Sequence, residues 1–180
     1  MRVITGSARG CRLETLSGEA TRPTAERVKE GLFSAIQFDL PGRRVLDLFA
    51  GSGQLGIEAL SRGAESCVFL DRSQQATEII RRNLQKCKLF PQAQVLTADA
   101  TDFLRRNREE FDVIFLDPPY DSGLLLPCLQ EAAEHLAPGG LIVCETDQVE
   151  NLPETVGRCR LHRTHRYGRV HITIYRPEAE

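Results

Sequence analysis

Short apolar runs alternate with segments of helical periodicity from residue 44 to residue 145. The runs predict strands, and the fourth is apolar almost throughout, as expected of a central strand covered on both faces. The predicted strands are residues 44–48, 66–70, 93–97, 111–116 and 141–145. Apolar residues at three- and four-residue spacing predict helices near 54–62, 76–87, 101–108 and 125–136, the last ended by Pro138-Gly139-Gly140. These repeated strand–helix units predict a Rossmann-like α/β fold, a mostly parallel sheet with helices on both faces.

The C-terminal part departs from this rhythm. Residues 158–165 and 170–176 are both strand-like, and only Tyr167-Gly168-Arg169 joins them. With no helix between them, we expect the two segments to pair as a hairpin and to form an antiparallel edge of the sheet.

The N-terminal part also differs from the centre. Residues 2–5 and 11–16 flank a glycine-containing turn, which predicts a small β-hairpin, and a helix is expected to begin near Thr24, a suitable N-cap. We therefore divide the chain into a hairpin arm with a helix (residues 1–40) and a sheet domain (residues 41–180).

The fourth predicted strand runs directly into Asp117-Pro118-Pro119-Tyr120. Two successive prolines have no N–H to donate and fix φ, so this loop is rigid and its carbonyl groups stay free to accept hydrogen bonds. Such a loop suits the amino group of a flat ring, with Asp117 and the Pro118 carbonyl accepting its two N–H bonds and Tyr120 stacking on its face. In the alternative interpretation, the prolines simply mark a strand-to-helix connection.

The turn after the first strand carries the spacing Gly51-x-Gly53-x-x-Gly56, and Asp71 follows 20 residues after Gly51. In a strand–turn–helix context this is the dinucleotide fingerprint, in which the glycines let the backbone approach a nucleoside and the acid accepts both ribose hydroxyls. Alternatively, the glycines only permit close packing of a helix on the sheet. The motif alone does not distinguish NAD from other adenosine cofactors.

Acidic residues at the ends of the first four strands favour one of these cofactors. Asp47 precedes the glycines, where a carboxylate would repel a pyrophosphate but attract the sulfonium and amino groups of S-adenosylmethionine. Asp99 follows the third strand, where it could accept the adenine amino group. With Asp71 and Asp117, these acids lie where open α/β sheets bind ligands.

The motifs at residues 47–56, 71, 99 and 117–120 resemble those of class I S-adenosylmethionine-dependent methyltransferases that act on exocyclic amines. Two N-terminal motifs are similar to the bacterial 16S ribosomal RNA guanine-N2 methyltransferase family (RsmD type), a resemblance that covers nearly the whole chain. They are Arg2-Val3-Ile4-Thr5-Gly6-x-x-Arg9-Gly10 and Thr21-Arg22-Pro23-Thr24-x-x-Arg27-Val28-Lys29-Glu30-x-Leu32-Phe33-Ser34.

The resemblance implies methyl transfer from S-adenosylmethionine to the N2 amine of one guanine in small-subunit ribosomal RNA, either naked or in an assembling 30S particle. The implied catalytic residues are Asp117, Pro118, Pro119 and Tyr120. The implied cofactor-binding residues are Asp47, Phe49, Ala50, Gly51, Gly53, Asp71, Arg72, Asp99 and Ala100. Candidates for phosphate contacts are Arg9, Arg22, Arg27, Arg166 and Arg169. Arg22 could instead help to cover the cofactor.

Charge and composition refine this picture. The net charge is only -2, but 20 of the 23 basic residues are arginines, and residues 156–177 contain no acid. Basic ends on an acidic-leaning centre would suit a protein whose centre holds a small ligand while its ends touch a polyanion; arginines solvating an edge strand are the alternative.

No apolar stretch is long enough for a membrane span, and no signal peptide is predicted. The six cysteines are scattered, so we expect them to be reduced and the protein to be cytoplasmic. We also expect the protein to be a monomer. Cys159, His162 and His165 fit no usual zinc spacing, so no metal is expected.

Three other functions remain open. The Asp-Pro-Pro-Tyr motif would also suit a methyltransferase acting on DNA or on another amine. The glycine fingerprint would suit an NAD-dependent oxidoreductase, although this leaves the Asp117 motif unexplained. A non-catalytic RNA-binding or assembly factor could have kept the same fold.

Overall fold

The computed structural model describes residues 1–18, 23–147 and 151–179, without the side chains of Pro23 and Thr24. The helices are α1 Pro23–Ile36, α2 Gln54–Ser61, α3 Gln74–Lys86, α4 Ala100–Arg106 and α5 Leu125–Ala133, with 3₁₀ turns at Gln37–Asp39 and Phe90–Gln92. The strands are β1 Arg44–Asp47, β2 Ser66–Asp71, β3 Ala93–Thr97, β4 Phe111–Leu116, β5 Leu136–Thr146, β6 Thr155–Val156, β7 Cys159–Tyr167 and β8 Val170–Pro177.

The described strands form one sheet in the order β3-β2-β1-β4-β5-β8-β7-β6. Strands β1 to β5 pair in parallel, whereas β8 pairs antiparallel with both β5 and β7. The predicted α/β sheet with an antiparallel C-terminal hairpin is therefore confirmed. The parallel part places the carboxyl ends of β1 to β4 side by side, which is where this fold builds its sites.

Two apolar layers cover the sheet. On one face, Phe115 and Val143 pack with Leu32 and Phe33 of α1 and with Ile57 of α2. The other face packs against α4 and α5, with Ile114, Leu104 and Leu129 in its centre. The N-terminal arm joins the first layer, in which Val3 and Leu13 are buried, so the arm and α1 share a core with the sheet.

The boundary between α5 and β5 differs from the prediction. Helix α5 ends at Ala133, and β5 already begins at Leu136, because Phe111 donates its N–H to the His135 carbonyl and pairs with Leu136. Residues 137–140 then bulge before the regular pairing of Val113 with Leu141 resumes. Pro138-Gly139-Gly140 thus forms a bulge inside a strand rather than a helix end, and Gly139 supplies the φ of +73° that the bulge needs.

Helix α1 begins at Pro23, one residue before the predicted cap, so Thr24 lies within its first turn. Proline is well suited to the first turn of a helix, because its missing N–H would have no partner there.

The arm is a minimal antiparallel pair with one bridge, between Arg2 and Arg12. The buried Glu58 carboxylate of α2 holds it in place, accepting the N–H groups of Ile4 and Thr5 at 2.9 and 3.0 Å. Lys29 of α1 and Arg62 are ion-paired with the same carboxylate, at 3.1 and 2.9 Å. Glu58 therefore ties the arm and α1 to α2.

The arm also lies along α3, and this corrects the expectation about the cysteines. Asn83 exchanges two hydrogen bonds with the backbone of Glu14, at 2.8 and 2.9 Å. Nearby, Cys11 and Cys87 form a disulfide with their Cα atoms 6.0 Å apart. The prediction that all cysteines are reduced was wrong for this pair, because packing joins residues 76 positions apart. Cys67, Cys128, Cys144 and Cys159 are free and buried.

No helix in residues 1–18, 23–147 and 151–179 combines the length and the apolar character that crossing a membrane requires.

Candidate active site

A cavity of about 730 Å³ lies at the carboxyl ends of β1 to β4. Its size is in the range of clefts that hold small ligands. It brings together most of the residues singled out from the sequence. Those in its lining are Phe49, Ala50, Gly51, Asp71, Arg72, Asp99, Ala100, Asp117, Pro118, Pro119 and Tyr120.

The glycine turn lets backbone, rather than side chains, line one part of this cavity. Gly51 and Gly53 have φ of 57° and 84°, a region that favours glycine. The Gly51 N–H donates to Asp71 Oδ2 at 3.0 Å, which couples the turn to the end of β2. Gly53 is buried beneath the turn. At Gly56, an added Cβ would overlap the Phe69 ring, so this glycine permits close packing of α2 on the sheet.

Asp47 is not among the residues that line the cavity. Its side chain is buried, and Oδ2 accepts the N–H of Gly56 at 3.0 Å. Burial and the neighbouring Asp47 carboxylate raise the pKa of the Cys67 thiol. Asp47 therefore holds the start of α2 in position.

Asp71 and Asp99 lie at the ends of β2 and β3, and each also organises backbone. Asp71 Oδ1 accepts the Ser73 N–H at 2.9 Å, while Asp99 is the N-cap of α4 and accepts from Asp102 at 3.0 Å. These bonds hold both carboxylates at the lining of the cavity, where they can accept hydrogen bonds from hydroxyl or amino groups.

Replacing Asp71 by alanine is expected to weaken S-adenosylmethionine binding at least about tenfold, since hydrogen bonds to charged groups contribute about 1.5–3 kcal/mol. The substitution removes a carboxylate from the lining of the cavity and the bond that holds Gly51. Calorimetric titration with S-adenosylmethionine measures the change. Asp102→Ala, an exposed acid outside the cavity, serves as the control; equal affinities for Asp71→Ala and the wild type would contradict the assignment.

The Asp117–Tyr120 segment enters the cavity from β4. Pro118 is buried, Pro119 is exposed, and no group in the described parts of the chain donates a hydrogen bond to the Pro118 carbonyl. The Tyr120 side chain is exposed enough to meet a ligand, at 49%. Burial, together with the nearby carboxylates of Glu145, Asp117 and Asp147, raises the pKa of Tyr120, so the phenol stays protonated.

Glu145, near the end of β5, is a site residue that the sequence reading missed. It lines the same cavity as Asp117, and burial raises its pKa to about 7. Leu116 pairs with Cys144, so Asp117 and Glu145 occupy corresponding positions on neighbouring strands. Its position at the end of a predicted strand was the available signal, the same one that identified Asp71, Asp99 and Asp117.

The N-terminal arm closes part of the cavity. Met1, residues 15–18 and Ala25 of α1 all contribute to its lining. The arm therefore adds to the site as well as to the core, while Arg22, proposed as a cofactor cover or an RNA contact, lies outside the described residues.

The remaining predicted RNA contacts are not all near this site. Arg169, in the β7–β8 turn, is exposed and lines a second cavity beside the first, while Arg27 and Arg166 are exposed on α1 and β7. Arg9 is exposed in the arm turn, whose neighbours Ser7 and Ala8 bond to Ser61 at the end of α2 remote from the glycine turn. Lys29, a basic residue of the second N-terminal motif, is buried against Glu58.

Comparison with known proteins assigns the family. The family model described as "Conserved hypothetical protein 95", which represents the RsmD family, matches residues 1–176. The chain belongs to the RsmD family.

Individual relatives match over most of their length. The YlbH protein of Bacillus subtilis is 44% identical over 181 residues, covering 98% of each chain. The ribosomal RNA small subunit methyltransferase D of Haemophilus influenzae is 40% identical over 153 residues, covering 82% of this chain and 79% of that protein. The solved structure of Escherichia coli yhhF superimposes with a TM-score of 0.87 at 32% identity, covering 100% of this chain and 99% of the other.

Proposed function

We propose that this protein transfers a methyl group from S-adenosylmethionine to the exocyclic N2 amine of a guanine in small-subunit ribosomal RNA. The observation that carries the proposal is that Asp117–Tyr120 and the nucleoside-type residues Gly51, Asp71 and Asp99 line one cavity. Two relatives, from Haemophilus influenzae and Escherichia coli, are named ribosomal RNA small subunit methyltransferase D, which supports the RNA substrate.

The cavity residues fit S-adenosylmethionine chemically. Asp71 would accept the ribose hydroxyls and Asp99 the adenine amine, with Phe49 and Ala100 as apolar neighbours. The Gly51 turn would let the backbone approach the nucleoside closely. When bound, S-adenosylmethionine supplies a methyl group on a sulfonium, which is activated for transfer to a nucleophile.

Asp117 and the Pro118 carbonyl are the groups that would act on the amine. A guanine N2 is a poor nucleophile because its lone pair is delocalised into the ring. If these two groups accept hydrogen bonds from both N–H bonds of the amine, the lone pair turns toward the methyl group. Placing the reacting atoms in this near-attack geometry supplies much of the rate. The new N–C bond forms as the C–S bond breaks, and Asp117 would stabilise the positive charge on nitrogen and accept the released proton.

The Tyr120 ring would stack on the target base, a contact worth about 1–3 kcal/mol. The base must first leave its helical stack or lie in an unpaired loop. Arg27, Arg166 and Arg169 would contact phosphates around it. Arg9, in the arm turn, would contact RNA phosphates farther from the target base.

Incubation with labelled S-adenosylmethionine and small subunits or 16S RNA from cells that lack the protein tests the proposal. We expect label in N2-methylguanosine after digestion to nucleosides, with naked RNA and subunit particles compared as substrates. Duplex DNA is tested as an alternative substrate in the same labelling assay. Binding of free NAD, the alternative ligand, is tested by calorimetry. Label in another nucleoside, label in DNA alone, or no label in either would overturn the proposal.

A further inference from the structure

A second cavity, of about 350 Å³, adjoins the first on the side of α1 and the β7–β8 turn. The two cavities share lining residues, including Ala25, Gln54 and Leu55. The rest of the second cavity is largely apolar, with Val28 and Leu32 among its lining.

The β7–β8 turn closes this cavity because α1 carries a glycine where the turn meets it. An added Cβ at Gly31 would overlap the end of the Tyr167 side chain, so the absence of a side chain there admits the ring. Tyr167 and Val170 consequently line the cavity together with α1, and the exposed Arg169 lies beside them. The cavity thus combines an aromatic ring, an aliphatic surface and a cation on the solvent side.

Tyr120 and Glu145 line both cavities, so they stand where the two meet. Glu145 follows Val143 by two positions within β5, which directs its carboxylate to the sheet face covered by α1, and Asp117 lies beside it, directly after β4. Any flat ring whose amine is held by Asp117 and whose face lies on Tyr120 therefore has Glu145 beside it.

Nothing in the described chain satisfies the Glu145 carboxylate: no hydrogen bond or ion pair engages it there. A carboxylate that is partly removed from water is stabilised by an N–H donor, because the donor offsets the cost of burying the charge. The raised pKa of Glu145, caused by burial, is consistent with a group that lacks such a donor in the free protein. A ligand with an N–H next to its exocyclic amine would supply one.

We propose that the second cavity receives the target base and that Glu145 accepts its ring N1–H, which selects guanine over bases that lack this proton. This inference rests on the proposed function and assigns the specificity of that site. Guanine carries N1–H next to its N2 amine, so Asp117 with the Pro118 carbonyl and Glu145 can engage both groups on one edge. Where Glu145 is ionised, a purine with a bare N1 lone pair would face the carboxylate without a hydrogen bond, and such unpaired sites discriminate strongly.

A substrate RNA with 2-aminopurine in place of the methylated guanine tests the assignment, because 2-aminopurine keeps the N2 amine but has no N1 proton. At about pH 8.5, where Glu145 with its pKa of about 7 is ionised, we expect wild-type kcat/KM for guanine to exceed that for 2-aminopurine by at least about 100-fold. In Glu145→Gln, the amide can donate to the bare N1, so the ratio is expected to fall to within about tenfold.

Glu110→Gln, an exposed substitution at the other end of the sheet, should leave both rates and their ratio as in the wild type. Calorimetry with S-adenosylmethionine checks that Glu145→Gln is folded and retains its cofactor site. If the wild type methylates guanine but Glu145→Gln has the same guanine to 2-aminopurine ratio of kcat/KM, the role of Glu145 is overturned while the proposed function stands. If the wild type does not form N2-methylguanosine, both the proposed function and this inference fail.

Discussion

Asp117→Asn is expected to lower methyl transfer to ribosomal RNA at least about 100-fold, the typical loss when one preorganised charge-stabilising group is removed from an active site. The asparagine keeps the shape of the side chain, but it cannot stabilise the positive charge on the amine or accept its proton. Because Asp71 and Asp99 occupy separate strand ends, S-adenosylmethionine affinity should stay within about twofold of wild type. Single-turnover incorporation of labelled methyl and calorimetry measure the two quantities.

The matched control is Asp121→Asn, an exposed carboxylate in the same loop. Its φ of 57° is one that asparagine tolerates, so the change should affect neither folding nor turnover. Near-normal methyl transfer by Asp117→Asn would remove this carboxylate from the proposed chemistry. Equal losses of turnover and of cofactor binding would instead indicate a damaged cavity.

Glu58→Ala is expected to cost about 3–5 kcal/mol of unfolding free energy, the usual penalty for leaving a buried charge without its partner. Lys29 is 2% exposed and would lose the carboxylate 3.1 Å away. Burial already lowers the pKa of Lys29, with Glu58 opposing this effect. The N–H groups of Ile4 and Thr5 lose their acceptor as well, so the attachment of the arm to α2 should weaken, although the bonds of Ser7 and Ala8 to Ser61 remain.

Urea unfolding followed by circular dichroism measures the loss. Glu65→Ala, which removes an exposed acid just after α2, should change the unfolding free energy by no more than about 0.5 kcal/mol. The double variant Lys29→Met/Glu58→Leu removes both charges and is expected to be more stable than Glu58→Ala. A Glu58→Ala protein within about 1 kcal/mol of wild type would show that the cluster does not hold the arm.

Much of the site could be predicted because strand ends are readable in the sequence. An apolar run followed by a polar residue marks the carboxyl end of a strand, and parallel strands place these ends together. Asp71, Asp99 and Asp117 were found in this way, and all three line the cavity. Glu145 satisfied the same criterion, but its significance depends on the second cavity, which exists only once α1 and the β7–β8 turn meet.

Asp47 shows the limit of the same reasoning. It is the last residue of β1, yet its carboxylate turns to the Gly56 N–H and is buried behind the glycine turn. Spacing identifies a residue at the end of a strand but does not reveal whether its side chain faces the ligand or a neighbouring helix. The bulge at Pro138-Gly139-Gly140 was misread for a related reason, since only the pairing of Phe111 with Leu136 makes those residues part of a strand.

The sequence by itself determined the alternation of strands and helices, the C-terminal hairpin, the glycine turn and the Asp117–Tyr120 loop. These features depend on periodicity and on backbone preferences of neighbouring residues, which are short-range properties. Tertiary structure alone decided the docking of the arm on Glu58, the pairing of Cys11 with Cys87 and the position of Glu145 between two cavities. Each of these depends on the packing of side chains that are far apart in the chain. Local sequence patterns do not predict such long-range contacts.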